Sequence, residues 1–422
     1  DPEKKTLDLT FDVEKGELVY IERISIAGNS KTRDKVVRRE LRLMEGELYS
    51  ATGFKRSKQN LMNTGYFEEA NIATAKGSSP EKLNVAVDLK EKATGAFTIG
   101  GGYSSLDGLI FQGSVSQSNF MGLGLKANAS AAIGGKTNTY SVGLTDPYFL
   151  DSKWTLGVDI YRSERDYTDY SRRLTGGDIK AGYPITDFIG TFWMYKYEIK
   201  DIYNPDSYYL EANVKYPDSY PLGQTTTSSI YASITNNTTD FRFDPSNGMV
   251  NTLSVEYAGL GGDNKYVREI CDNTVYYPLW WKFVVSAKLA VGAVQQAGPK
   301  IPIDEKFYLG GIGTLRGYAA RTVCPVDNGV YVGGEKELFG NLEIKFPLLQ
   351  EYGIKGVGFF DYGNAWTSGG IKPPDMLMSY GGGIRWASPM GPLRLEYGIP
   401  INPRPGIDNR SGRFEFAIGS LF

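Results

Sequence analysis

Hydrophobic and polar residues alternate with a period of two along most of this chain. Leu125/Ala127/Ala129/Ala131/Ile133 oppose Lys126/Asn128/Ser130, and Trp154/Leu156/Val158/Ile160 oppose Thr155/Gly157/Asp159. The pattern returns in Leu253/Val255/Tyr257 against Thr252/Ser254/Glu256, and in Phe283/Val285/Ala287/Leu289/Val291 against Lys282/Ser286/Lys288. Leu342/Ile344/Phe346 against Glu343/Lys345 and Leu393/Leu395/Tyr397/Ile399 against Arg394/Glu396 complete it. Successive side chains of a strand point to opposite faces, so each segment has one apolar face and one that carries whole charges. From Thr94 to Phe422 the count of such segments is sixteen.

The first 91 residues follow a different rhythm. Leu18–Ile26 is rich in β-formers and ends in the turn residues Ala27-Gly28-Asn29. Val37, Leu41 and Met44 recur at helical spacing, predicting a helix over about Thr32–Met44 with Thr32 as N-cap and Gly46 as stop. A second helix is predicted over Ala51–Thr64 with Phe54, Leu61 and Met62 inward. Strands over Ala70–Ala75 and Leu83–Leu89 follow, giving the order βααββ. Upstream, Leu7–Val13 alternates like that last strand and reads as the end of a preceding copy, so the natural protein is expected to extend further N-terminally. The boundaries are therefore 1–16 for the end of that preceding unit, 17–91 for an α+β unit, and 92–422 for an all-β unit.

Length and end chemistry decide what kind of β-structure this is. A soluble sandwich also alternates. Strands that cross a bilayer, however, run about 9–11 residues and end in aromatic residues at both interfaces. Tyr148-Phe149, Tyr276-Tyr277, Trp280-Trp281, Tyr352, Trp366 and Trp386 sit at such ends. Tight links at Asn119–Gly124, Leu150–Lys153, Phe243–Gly248 and Pro389–Pro392 contrast with one long connection over about 295–333. Paired backbone is obligatory in hydrocarbon, which forces a strand protein to close into a barrel.

Composition removes whole classes of chemistry. The chain has no histidine, which excludes His-dependent triads, imidazole zinc sites and haem through a proximal histidine. Two cysteines cannot build a four-thiolate metal site, and a net charge of −2 excludes a nucleic-acid binder driven by bulk positive charge. Gly28-Asn29-Ser30-Lys31-Thr32 lacks the glycines of a phosphate loop. No catalytic residue, metal or other cofactor is therefore expected.

Three segments carry a resemblance. Arg38–Gly46 followed by Leu61–Phe67 is similar to the helices of the last POTRA domain in the BamA family of outer-membrane assembly proteins. Tyr308-Leu309-Gly310-Gly311 running into Leu315-Arg316-Gly317-Tyr318 resembles that family's sixth extracellular loop, whose usual motif is Val-Arg-Gly-Phe. Phe359–Trp366 resembles the second barrel strand after that loop. The resemblance implies one POTRA domain in the periplasm ahead of a sixteen-stranded antiparallel transmembrane barrel in a bacterial outer membrane. It implies an insertase, not an enzyme, whose partners are unfolded outer-membrane proteins, accessory lipoproteins and lipid. The nearest alternative is a two-partner secretion transporter that exports a soluble client through the pore.

Several side chains bear on that function. Arg316 is either a solvated loop arginine or folded into the lumen, where a guanidinium needs carboxylates to offset desolvation. The resemblance implies Glu343 and Asp361 as those carboxylates. A lateral seam is expected where the first strand, with Phe97, Ile99, Gly100, Gly101, Gly102 and Tyr103, meets the last, with Phe414, Phe416, Ile418, Gly419 and Phe422. Glycines weaken strand packing, and an exposed edge can template an incoming strand, although glycine is also common in barrels. Arg38, Arg39, Arg42 and Glu45 are either a solvated helix face or, as the resemblance implies for Glu45 and Arg42, contacts for a lipoprotein partner. Cys271 and Cys324 either form a disulfide or remain free.

Overall fold

A computed structural model describes residues 18–104, 107–215, 217, 220–241, 244–298, 301–327, 329–367, 369–388 and 391–418. The chain divides into two compact units. One comprises the residues up to Gly95 together with Gln117–Leu125, and the other Ala96–Ser116 together with Lys126 onward. The segment Leu7–Val13 and the last four residues lie outside the described residues.

The first unit holds β1 (Tyr20–Ala27), α1 (Asp34–Arg38), α2 (Ala51–Asn63), β2 (Phe67–Lys76) and β3 (Lys82–Glu91). Its sheet has the order β1-β3-β2, with β1 parallel and β2 antiparallel to β3. Alternation puts Val85, Val87 and Leu89 of β3 into a core with Ile21, Ile24, Val36, Val37 and Leu61. Ser50 caps α2 by accepting from the Gly53 N–H at 3.1 Å.

The first helix is shorter than its spacing predicts. It stops at Arg38 because Leu41 and Leu43, two positions apart, both point into the core, which no helix allows. Met44 and Met62 are exposed rather than inward. Thr32 does not cap the helix; Arg33 holds that position, and the Thr32 N–H donates to the Glu91 carboxylate instead.

Among the described residues of the second unit, sixteen strands form a closed antiparallel barrel, as expected. The first strand is Gly95–Ser104, the sixth Ser171–Pro184, the seventh Ile189–Tyr203 and the tenth Tyr266–Pro278. The eleventh is Val284–Gln296, the twelfth Lys336–Leu349 and the thirteenth Ile354–Trp366. The fourteenth is Leu377–Ser388, the fifteenth Gly391–Pro400 and the sixteenth Arg413–Ile418.

On the seventh strand Trp193, Tyr195, Tyr197 and Ile199 face outward while Glu198 and Lys200 are buried inside. This is the apolar-out, polar-in arrangement of a barrel in lipid. The tight turns Phe149–Asp151, Trp280–Lys282 and Gln350–Tyr352 lie at one rim and expose Phe149, Trp280, Trp281 and Tyr352, an aromatic girdle.

Both cysteines are free. Cys271 pairs in register with Leu253 and Val291, so it shares their outward face, whereas Cys324 is buried among lumenal loop side chains. The barrel wall separates the two thiols, so the alternative of a disulfide is corrected.

Candidate functional site: a loop anchored in the lumen

The connection between the eleventh and twelfth strands folds back on itself. Isolated bridges join Phe307 to Gly334 and Leu309 to Val323, so the long link is a pinned hairpin rather than a free loop. At its tip the Gly311 N–H donates to the carbonyls of Leu315 and Tyr318, at 3.0 and 3.1 Å. Leu315, Arg316 and Tyr318 are each at most 2% exposed. Leu315 and Tyr318 enter an apolar cluster with Ala290, Leu309, Val323, Phe339 and Leu377. The Tyr318 hydroxyl donates to the Met378 carbonyl at 3.0 Å, which satisfies its polar end.

Strand register prepares the seat for the tip. One inward row runs Glu343, Phe359, Gly381, Gly398 across the twelfth to fifteenth strands. The two glycines leave a recess, and the loop backbone fills it. Gly317 has φ +89°, and a Cβ there would lie 2.9 Å from the Gly398 backbone. Both the dihedral and the close approach demand glycine at this position.

Arg316 is folded into the lumen. Its Nε and Nη2 donate to Asp361 at 2.7 and 2.6 Å, a bidentate pair, and its backbone N–H adds a third bond to Asp361 at 3.0 Å. Nη1 donates to Glu343 at 2.7 Å and to Glu396 at 2.8 Å. The guanidinium carbon lies 3.6 Å from the Phe359 ring centroid. Burial opposes the charge on Arg316, but the hydrogen bonds and fields of Asp361, Glu343 and Glu396 outweigh it and raise the guanidinium pKa.

Three groups here, Glu396, Arg385 and Arg394, were not singled out from the sequence. Glu396, fully buried on the fifteenth strand, takes Arg316 on one oxygen and Arg385 on the other. Arg385 reaches Glu343 at 2.6 Å, and Arg394 joins Glu396 at 3.1 Å. Three guanidinium groups thus face three carboxylates, and the cluster is neutral. Alternation along Leu393–Ile399 already placed Glu396 on a charged inner face; which inner charges meet the loop depends on register and was not readable.

The first and sixteenth strands pair at Ser104–Ala417 and Tyr103–Ile418. Phe97, Ile99 and Phe414 are exposed on the outer face, and the Tyr103 and Phe416 rings lie 5.8 Å apart across the join. A Cβ on Gly100 or Gly101 would meet nothing closer than 3.5 Å, so neither glycine is required by crowding. Gly102 belongs to the same strand, while Gly419 and Phe422 lie outside the described residues.

In the α+β unit, Glu45 accepts from the Ile24 N–H at 2.8 Å, and Arg38 donates to the Ile24 carbonyl at 3.1 Å. Together these side chains cover the outer edge of β1 at Ile24. Arg42 is exposed beside Ser50, Arg56 and Asn60 in a surface cleft along α2. The turn at Gly28–Thr32 wraps its own carboxylate: Ser30 Oγ and the backbone N–H groups of Lys31 and Thr32 donate to Glu91 at 2.9, 2.9 and 2.6 Å. Burial pushes the Glu91 pKa up, but these donors outweigh it and lower it, leaving the nest occupied.

A family model described as the Omp85 superfamily domain matches residues 119–422, and a POTRA model described as a surface antigen variable number repeat matches residues 19–92. The chain belongs to the Omp85 superfamily. Among relatives of this Omp85 chain, the outer membrane protein assembly factor BamA of Nitratidesulfovibrio vulgaris is 31% identical, over 100% of this chain and 53% of its own length. Among solved structures, BamA from Haemophilus ducreyi lacking POTRA domains 1–3 superimposes with a TM-score of 0.86 at 22% identity, covering 96% of this chain and 85% of that one. CdiB from Acinetobacter baumannii gives 0.59 at 13% identity, covering 95% and 73%. The Omp85 chain spans about half the length of the curated relatives it matches.

Proposed function

We propose that this Omp85 chain folds and inserts β-barrel proteins into a bacterial outer membrane, with its α+β domain on the periplasmic side. The observation that carries this reading is the occupied lumen. A client moving through the pore would have to displace a tip whose arginine is buried among three carboxylates. A client added at the wall needs only the join between the first and sixteenth strands to part.

In this mechanism the Arg316 cluster with Glu343 and Asp361 locks the loop inside the barrel. The seam residues Phe97, Ile99, Gly100, Gly101 and Gly102 then present a strand edge to the client, opposite the strand that carries Phe414, Phe416 and Ile418. The edge offers unpaired N–H and C=O groups, and the client's own strand completes the ladder. The driving force is the client's burial of apolar surface in lipid and the pairing of its backbone, so no nucleotide or other cofactor is invoked. Arg42 and Glu45 are assigned to the docking of an accessory lipoprotein.

Reconstituted vesicles test this reading. With Cys271 and Cys324 changed to serine, Ser104→Cys and Ala417→Cys place a disulfide across the join, at positions that pair in register. Oxidation is expected to abolish folding of a urea-unfolded barrel client, and reduction to restore it. Equal client folding with the join covalently shut would refute insertion at the seam. Unchanged folding relative to protein-free vesicles would refute the insertase reading itself.

A further inference from the structure

The same loop enters the lumen through a second set of buried charges, of opposite sign and well before the arginine tip. A short turn at Ile303–Glu305 places Asp304 and Glu305 against the inner wall, with Ile303 buried among Tyr170, Ile202, Tyr209 and Tyr220. Lys200 of the seventh strand, 3% exposed, reaches Asp304 at 3.2 Å and also pairs with Glu305. Arg268 of the tenth strand meets Glu305 at 2.8 Å and donates to its backbone carbonyl as well. Arg172 of the sixth strand reaches Asp304 at 3.4 Å.

Among the described residues, Lys200, Arg268 and Arg172 form ion pairs with no other carboxylate. Neighbouring charges are already spoken for: Lys196 pairs with Glu256 at 2.8 Å, and Glu198 accepts from the Tyr161 hydroxyl at 2.8 Å. Three inward cations of the wall are thus matched by loop carboxylates, while at the tip Arg316 holds Asp361 and shares Glu343 and Glu396 with the wall arginines Arg385 and Arg394.

We infer that Asp304 and Glu305 are positioning residues that form a second anchor, making the loop a strut between two separate arcs of the barrel wall. Counted round the cylinder of sixteen, the seventh strand lies five, six and eight strands from the twelfth, thirteenth and fifteenth, so the two anchors hold separate arcs of the wall. The arginine end holds the twelfth, thirteenth and fifteenth strands, the last of them paired with the sixteenth strand of the join; the acidic end holds the sixth, seventh and tenth. A flank strand that swings outward carries the arginine end with it and must stretch or break the acidic end. The functional part of this inference rests on the proposed insertion at the seam, whereas the anchor itself does not. Burial disfavours the Glu305 carboxylate, yet Lys200, Arg268 and Lys196 outweigh it and lower its pKa, so the group stays charged.

The test reads loop position directly. The full chain is refolded in lipid vesicles, and cleavage of the loop by an added protease is timed for E305Q, R268Q, the double variant and E305D. E305Q and R268Q are each expected to speed cleavage about tenfold, and the double variant to fall well short of the product of the two, because both changes remove the Arg268–Glu305 pair. The charge-keeping E305D should stay within about threefold of the parent. Multiplying effects in the double variant, E305D as sensitive as E305Q, or unchanged cleavage in E305Q would each overturn the anchor. Should the neutral variants fail to refold, E305D against the parent decides alone: protection supports the anchor and exposure overturns it. Client folding is measured in parallel. Loss of the anchor with client folding unchanged overturns the strut's role at the seam, while a parent chain that inserts no client defeats the insertase reading and leaves the anchor result standing.

Discussion

Arg316 is almost fully removed from water, and a lone guanidinium there would be expelled. It stays because Asp361 matches its fork in two parallel bonds while Glu343 and Glu396 neutralise the remaining edge. Removing one partner of such a cluster leaves uncompensated charge behind, which costs about 3–5 kcal/mol. Arg316→Ala is therefore expected to lower the thermal transition of the barrel and open the loop to protease; an unchanged transition with an intact loop would sink the locking role. Glu396→Gln should destabilise in the same direction, since both Arg316 and Arg385 lose a carboxylate. Gly317→Ala forces a side chain into the backbone of Gly398 at a positive φ, and roughly 1–3 kcal/mol of destabilisation should appear in urea unfolding.

At the scale of elements, the loop and the first strand make opposite demands. The loop must be held, so buried ion pairs fix its first arm at Asp304 and Glu305, and further ion pairs with an apolar cluster fix its tip. Cys324 reports on this: burial pushes its thiol up to about 11, so it should resist a water-soluble maleimide in the folded chain. Arg316→Gln is expected to make it reactive, as followed by mass change on intact protein. The first strand, in contrast, carries glycines that neither crowding nor a positive φ requires at Gly100 and Gly101. Alanine fits both positions and lowers the entropy of the open chain. If pliancy of this strand matters, Gly100→Ala with Gly101→Ala will stabilise the barrel while slowing client folding in vesicles. A variant that is more stable and equally fast would argue against a role for a weak first strand.

For the whole molecule, the outward face is a lipid solvent problem and the inward face an electrostatic one. Leu253 is exposed on the outer surface of the barrel, and an arginine there should cost roughly 2–4 kcal/mol if it lies near the bilayer midplane. Refolding yields of Leu253→Arg in vesicles check this. Inside, the loop completes two charge clusters: Arg316 joins carboxylates of the twelfth, thirteenth and fifteenth strands beside Arg385 and Arg394, and Asp304 and Glu305 join cations of the sixth, seventh and tenth. Those clusters orient a single loop inside the cylinder without needing a large apolar lumen.

The period-two pattern, with strand length and aromatic ends, determined that the second unit is a barrel of sixteen strands, because a strand's two faces meet different solvents and its residues record which is which. It likewise placed Glu343 and Glu396 on the charged faces of their strands, and the family resemblance pointed to Arg316 and Asp361. Helix spacing served less well: Leu41 and Met44 fit a helical face, but the core took Leu41 and Leu43 instead, since burial outweighs local preference in so short a segment. What only the tertiary structure decided was which inner charges meet. Strand register sets the height of each carboxylate and the loop's path sets the height of its arginine, and neither quantity is encoded in a local pattern. The same reason hid the acidic anchor at Asp304 and Glu305, whose partners are far away in sequence and are brought close by closure of the cylinder, and it separated Cys271 from Cys324 by placing the wall between them.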